Sequence, residues 1–266
     1  MPSSGSYLKG KRILVTRAKE QAESFSKKIE ELGGIAIEIP LIKIQAPKNT
    51  DLIQQTLRNI FTYDWLVFTS VNGVQYFFDF IKTYNINFFE SHKPKIAVVG
   101  NKTLQALEQR GLSANLVPDD FVAENLIEKL IERVNTNETI LLARGNLGRS
   151  LLPEKLGEMG YKVDDLLLYE TVLNIEKKAE LLHLLRNGSL DIITFTSSST
   201  VINFVKLLEG TVGWHEWLDN LIIACIGPIT EKTAIEAGIT PQIVAKEYTV
   251  TGLLKAMINY YQEDFK

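Results

Sequence analysis

The chain has one cysteine in 266 residues, Cys225, so no disulfide can form within it and a disulfide-stapled fold is excluded. Cys225 lies in the apolar run Leu221–Ile226, the setting of a small core residue rather than a reactive thiol. A lone cysteine also fits a reducing compartment. Histidine is scarce as well, with three residues. His92, His183 and His215 are far apart and show no metal-ligand spacing, so no metal is expected. No apolar run approaches the roughly 20 residues that a membrane-spanning helix needs. The opening stretch MPSSGSYLKGKRILVTR lacks the apolar core of a signal peptide. A cytoplasmic protein with no membrane partner is the expectation. Basic excess is absent too, since the formal net charge is −3. That argues against a nucleic-acid partner. It also means that a polyanionic ligand has to be held by local features rather than by the global field. No P-loop, nucleophile elbow or paired-carboxylate motif occurs, and GNLG (145–148) lacks the spacing of a dinucleotide fingerprint.

What is present is a repeat. FTSVNGV, Phe68 to Val74, returns as FTSSSTV, Phe195 to Val201, at an offset of 127 residues. The same offset carries Ile13, Leu14 and Arg17 onto Ile140, Leu141 and Arg144. It carries Asp64 and Phe77 onto Asp191 and Phe204, and Gly100, Thr103 and Gly111 onto Gly227, Thr230 and Gly238. A gapless register of this length defines two similar halves, 12–131 and 139–258. With 45% hydrophobic and 23% charged residues, the composition is that of a globular protein long enough for two domains.

Each half has the same grammar. An apolar run (RILVTR or TILLAR) precedes a helix-period stretch, then come WLVFTS or IITFTS and a helix, IAVVG or IIACIG and a helix, and a last helix. The strands are continuously apolar, as parallel strands covered on both faces are. Strands alternating with helices give βαβ units. The fold class expected is α/β, with two open flavodoxin-like parallel sheets. AIEIPLIKI (36–44) and VDDLLLYET (163–171) read as extended chain at equivalent points of the halves. They suit two antiparallel linkers, with the chain crossing at 38–45 and returning at 166–173. The domains would then be 1–37 with 174–266, and 46–165. Two tandem domains split near 135 fit the periodicity equally well.

The ordered set ILVTR, FTSVNGV, AVVGNKT, RGNLGR, LLLYET, FTSSSTV, IGPIT and TGLLKAM resembles the uroporphyrinogen-III synthase family from about Arg12 to Ile258. The resemblance implies two flavodoxin-like domains joined by a two-stranded linker, which favours the crossed arrangement. It implies that the linear tetrapyrrole hydroxymethylbilane, with eight carboxylates, loses water and closes to uroporphyrinogen III with its last ring inverted. No metal or organic cofactor is implied. The partners expected are that substrate and product, with a transient hand-off from hydroxymethylbilane synthase, and the chain is expected to be a monomer.

Ligands of parallel α/β sheets sit at the carboxyl ends of the strands. The small-residue turns fall there: Thr69-Ser70 with Asn72-Gly73, Gly100-Asn101, Thr196-Ser197-Ser198-Ser199-Thr200, and Gly227-Pro228. Each opens a helix, whose free N–H groups suit carboxylates. Helix capping is the competing role of Ser70, Ser197 and Ser199. Arg17, Arg144 (with Gly145) and Arg149 are candidate carboxylate forks, with surface salt bridges as the competing role. Tyr169 in LLLYET aligns with the tyrosine most often proposed as proton donor in the family. Its competing role is an amphipathic ring packed in the linker. Thr103 and Thr230 match cleft positions of the family and are expected to bind substrate carboxylates. The aromatics from Tyr76 to Phe89 recur at helix spacing and read as core. Trp214 and Trp217 read as pinning a loop. A non-enzymatic two-lobed module for an anionic small molecule, such as a sugar phosphate, is the alternative from another class. A tetrapyrrole-binding regulator without catalysis is a third, against which Tyr169 argues.

Overall fold

The computed structural model describes residues 7–89, 93–118, 123–148 and 150–263. Arg149 and His92 lie outside the described residues. Ten strands and ten α-helices occur among those residues, and they divide into two compact units, 1–43 with 172–266, and 44–171.

The first unit contains β1 (Arg12–Val15), α1 (Lys19–Glu31) and β2 (Ile35–Glu38). It continues with α7 (Lys178–Arg186), β8 (Ile192–Phe195), α8 (Ser198–Leu208), β9 (Ile222–Cys225), α9 (Pro228–Glu236), β10 (Ile243–Val244) and α10 (Val250–Glu263). Its sheet has the order β10-β9-β8-β1-β2, with every pair parallel. The second unit contains α2 (Asp51–Arg58), β4 (Trp65–Phe68), α3 (Val71–Thr83), β5 (Lys95–Val98), α4 (Asn101–Glu108), α5 (Ala123–Arg133), β6 (Thr139–Gly145) and α6 (Leu151–Glu158). Its sheet is completed by β3 (Ile42–Gln45) and β7 (Lys162–Leu173), in the order β3-β7-β6-β4-β5. The pairs β7–β6, β6–β4 and β4–β5 are parallel.

Both sheets are covered on two faces. Trp65–Phe68 and Ile192–Phe195 are buried at every position. Alternate residues feed opposite cores: Leu14, Ile193 and Phe195 join one cluster, and Ile13, Val15 and Ile192 the other. In the second unit Leu66, Phe68 and Leu141 pack on one side, and Trp65, Val67 and Ile140 on the other. That is why the strands read as unbroken apolar runs.

The repeat meets the fold in a specific way. β1 opens the first half of the sequence yet pairs with β8 of the second, and β6 opens the second yet pairs with β4 of the first. One repeated aspartate secures each junction. Asp191 Oδ2 accepts the backbone N–H of Arg12 at 2.7 Å, and its repeat partner Asp64 accepts that of Thr139 at 2.8 Å. Thr16 and Thr194 add a buried reciprocal pair, each hydroxyl donating to a carbonyl of the other strand at 2.7 Å. The stretch 36–44, read as one extended piece, is two strands. The break falls at Ile39-Pro40-Leu41, where Pro40 has no N–H for a ladder and the two flanking side chains are buried in the first unit's core.

Candidate functional site

In the second unit, β4 runs into Thr69 and Ser70. Ser70 is extended and caps α3, its Oγ accepting the N–H of Gly73 at 3.0 Å. This satisfies one of the donors that a helix start leaves free. β6 ends at Gly145, where a register shift after Arg144 sets Gly145 opposite Tyr169 of β7. The Tyr169 ring lies directly on Gly145, so that a Cβ there would collide with the ring. Its hydroxyl is 2.9 Å from Ser70 Oγ, and the ring stacks on Tyr76 at 5.5 Å and 24°. Glycine, serine and tyrosine thus hold one half-buried phenol from three sides.

The neighbouring strand β5 ends at Val98, and Gly100 caps the start of α4 at φ +88, a left-handed conformation that favours glycine. Asn101 is exposed and Thr103 is buried in the first turn. Arg144 is a committed fork. Its Nε and Nη2 meet both oxygens of Asp165 at 2.7 and 2.5 Å, and its Nη1 donates to the carbonyl of Gly148 at 2.5 Å. Asp165 holds the guanidinium above its ordinary pKa. Beside this pair is a cavity of about 240 Å³, lined by Arg144, Gly145, Asn146, Asp165 and Leu167.

In the first unit the corresponding turn is Thr196 to Thr200. Ser197 and Thr200 form a reciprocal capping box at the start of α8, and Ser199 Oγ is 2.8 Å from Ser197 Oγ. Ser198 Oγ donates to the carbonyl of Ile229 at 3.3 Å and accepts from Thr233 Oγ1 at 2.7 Å. The serines therefore cap α8 and also tie its start to α9. Gly227 precedes Pro228, the first residue of α9, and Thr230 is buried one turn in. Arg17 follows β1. Its Nη2 donates to Gln21 at 2.8 Å, while its buried Nε has no hydrogen-bond partner among the described residues.

The structure thus brings Ser70, Gly145 and Tyr169 into contact, and separately Ser197, Ser198 and Ser199 with the start of α9. Arg17 and Arg144 are each engaged locally. Three participants escaped the sequence reading. Tyr76 sits at the helix spacing of core aromatics, and nothing in that spacing marks it as a partner of Tyr169. Asp165 was readable only as part of an extended run. Tyr248, whose ring lies over Gly227, is outside the repeated turns. Cys225 is buried and its thiol is pushed up to about 12, mainly by burial, so it remains protonated at neutral pH. Among the described residues no cluster of three or more potential metal ligands occurs, and no helix is long and apolar enough to cross a membrane.

Parallel α/β units whose strands end in hydroxyl-bearing, helix-opening turns form a class suited to anionic small molecules. Comparison with known proteins specifies the class further. Residues 23–255 match the family described as uroporphyrinogen-III synthase HemD. The uroporphyrinogen-III synthase of Synechococcus elongatus is 32% identical over 251 residues, covering 93% of this chain and 94% of that protein. A porphyrin biosynthesis protein HemD of Ruminiclostridium josui is 29% identical over 249 residues, and the match spans 48% of that longer protein. In fold, the chain resembles a mutant uroporphyrinogen-III synthase from Thermus thermophilus, with a TM-score of 0.59, 20% identity, and 96% of this chain and 100% of that one covered. The chain belongs to the uroporphyrinogen-III synthase family.

Proposed function

We propose that the chain works as a uroporphyrinogen-III synthase, closing hydroxymethylbilane to uroporphyrinogen III with Tyr169 as the proton donor. The enzyme class follows from a family match over most of the chain. The observation that carries the chemistry is the phenol of Tyr169 on Ser70 Oγ.

The reaction begins when the hydroxyl of the substrate's hydroxymethyl carbon leaves as water. The pyrrole nitrogen supplies the electron pair, and an acid supplies the proton. Ser70 Oγ already accepts the Gly73 N–H, so its own proton is free to point at Tyr169 Oη. In that arrangement the phenolic proton is available to the leaving hydroxyl. The phenolate left behind receives the Ser70 O–H and sits at the N-terminus of α3, whose dipole favours negative charge. The electrophilic carbon is then attacked by the substituted α-carbon of the last ring, giving a spiro intermediate. The bond from that α-carbon to its original bridge carbon breaks with the electron push of the neighbouring pyrrole. The freed bridge carbon bonds the ring's other α-carbon, which gives up its proton to the phenolate, so the macrocycle closes with that ring inverted. Closure without guidance gives the uninverted isomer, so the outcome depends on how the chain holds the substrate.

Holding falls to the strand-end turns. Asn72, Gly100, Asn101 and Thr103 supply hydroxyls and amides in one unit, where Ser70 is committed to the phenol. Thr196, Ser197, Ser198, Ser199, Gly227 and Thr230 supply them in the other, where Arg17 adds a guanidinium and Pro228, which has no N–H, only shapes the turn. Arg144, held by Asp165, stiffens the Gly145 turn beneath Tyr169. Family membership also supports action in the cytoplasm. Turnover of fresh hydroxymethylbilane to the type III isomer tests the reading. Binding of a sugar phosphate without tetrapyrrole turnover would favour a non-enzymatic anion-binding module instead.

A further inference from the structure

We infer that Tyr248 is a substrate-positioning residue, a preorganised aromatic platform on which one pyrrole ring of the tetrapyrrole stacks. The inference rests on the synthase reading and adds to it a contact that no strand-end turn provides.

Tyr248 stands out by how much of the local structure is arranged around it. The residue is 66% exposed, which leaves much of its amphipathic side chain in water. One side of the ring lies on Gly227, where a Cβ would come within 2.8 Å of ring carbon Cδ1. The φ of Gly227 is 176°, extended backbone open to any residue, so space for the ring is the reason for glycine there. A second glycine serves the same segment. Gly252 lets α10 approach the carbonyl of Glu247 so closely that no Cβ would fit. Thr249 Oγ1 accepts the Gly252 N–H at 2.9 Å, and the Thr249 N–H donates to the carbonyl of Glu247 at 2.7 Å. The residues on both sides of Tyr248 are therefore fixed, while the ring itself is presented to solvent. A fixed exposed ring loses little entropy when a ligand covers it.

The location decides what covers it. Gly227 lies two residues past the C-terminal end of β9 and Ala245 one residue past that of β10, the end of a parallel sheet where ligands bind. Ile229, two residues beyond Gly227, is 79% exposed, and Lys246, two residues before Tyr248, is exposed as well. An exposed aromatic face at this end of the sheet suits a flat, electron-rich ring. The second unit also seats a tyrosine on a glycine, Tyr169 on Gly145, but that ring is half-buried and hydrogen-bonded. The two pairs are not related by the 127-residue offset. One tyrosine is built for chemistry and the other for contact.

The test compares Tyr248→Ala and Tyr248→Phe with the wild-type chain, using KM and kcat for fresh hydroxymethylbilane and anaerobic equilibrium dialysis of uroporphyrinogen III. Loss of one stacked ring is expected to raise KM and weaken product binding about tenfold in Tyr248→Ala, within the span seen for aromatic stacking. The value of kcat and the melting temperature should stay close to wild type. Tyr248→Phe should behave as wild type, since it keeps the ring. A Tyr248→Ala chain whose KM and product affinity are unchanged overturns the inference while leaving the synthase reading intact. So does a Phe variant as impaired as Ala, which would assign the role to the hydroxyl. A wild-type chain that neither turns over the bilane nor binds product overturns both.

Discussion

Tyr169 and Ser70, 99 positions apart in the sequence, meet with their hydroxyl oxygens 2.9 Å apart, and Ser70 links the phenol to the first turn of α3. Residues from the end of β4 and from β7 are brought together because β6 lies between those strands and ends in a glycine. If Tyr169 is the acid, Tyr169→Phe removes the proton and keeps the ring on Gly145. Type III formation should fall about 10²-fold, the low end for a general acid. The melting temperature should move little, because the half-buried ring and its stack on Tyr76 remain. Steady-state kinetics with a thermal melt separates the two effects, and an unchanged rate would remove Tyr169 from the chemistry.

Ser70 has two roles, and they can be measured apart. Ser70→Ala should cost about 1 kcal/mol of stability through the lost helix cap. It should also lower turnover, but by less than Tyr169→Phe, because the phenol keeps its proton. The double variant Ser70→Ala with Tyr169→Phe should be no slower than Tyr169→Phe alone, since Ser70 acts through the phenol. Additive losses in that cycle would show that Ser70 contacts the substrate independently.

Gly145 is required for space. Gly145→Ala puts a methyl group into the Tyr169 ring and should displace the phenol from Ser70. Turnover is expected to fall about as far as in Tyr169→Phe, by roughly 10²-fold. Gly157, where an added Cβ meets nothing within 4 Å, is the matched control, and Gly157→Ala should leave turnover unchanged.

Asp191 gives a pH-dependent prediction with a definite sign. Hydrogen bonds from the Arg12 side chain hold its carboxyl below the ordinary aspartate value, with help from the Arg12 backbone N–H. A depressed folded-state pKa contributes stability above the unfolded value of about 3.9, and that contribution is lost as pH falls through the folded value. Asp191→Asn should therefore lower the melting temperature at pH 7, with the gap to wild type closing as pH falls below about 4. Thermal melts across that range check it, and a gap that persists in acid would show that the pair works through shape rather than charge.

The sequence disclosed the βαβ grammar because doubly covered strands such as Trp65–Phe68 and Ile192–Phe195 are apolar at every position. It disclosed the repeat because β4 and β8 occupy matching places 127 residues apart. It left open which half β1 and β6 join, since a parallel pairing between remote strands leaves no periodic trace. Only the aspartates at 64 and 191 hint at it, and their partners are backbone N–H groups that any residue type supplies. Ser70 and Tyr169 could be singled out from the hydroxyl-rich turn and the LLLYET motif. Tyr76 could not, because a tyrosine at core spacing on α3 looks like packing until the sheet places Tyr169 against it. Tyr248 was invisible for the opposite reason: its significance lies in two glycines, Gly227 and Gly252, that make room around it.

The most direct measurement is the isomer composition formed from fresh hydroxymethylbilane by the pure wild-type chain, oxidised and separated over time beside a protein-free blank. Type III should dominate from the first time point and form far faster than the blank closes to type I. Type I alone, appearing at the rate of the blank, would show that the chain neither closes nor inverts the tetrapyrrole.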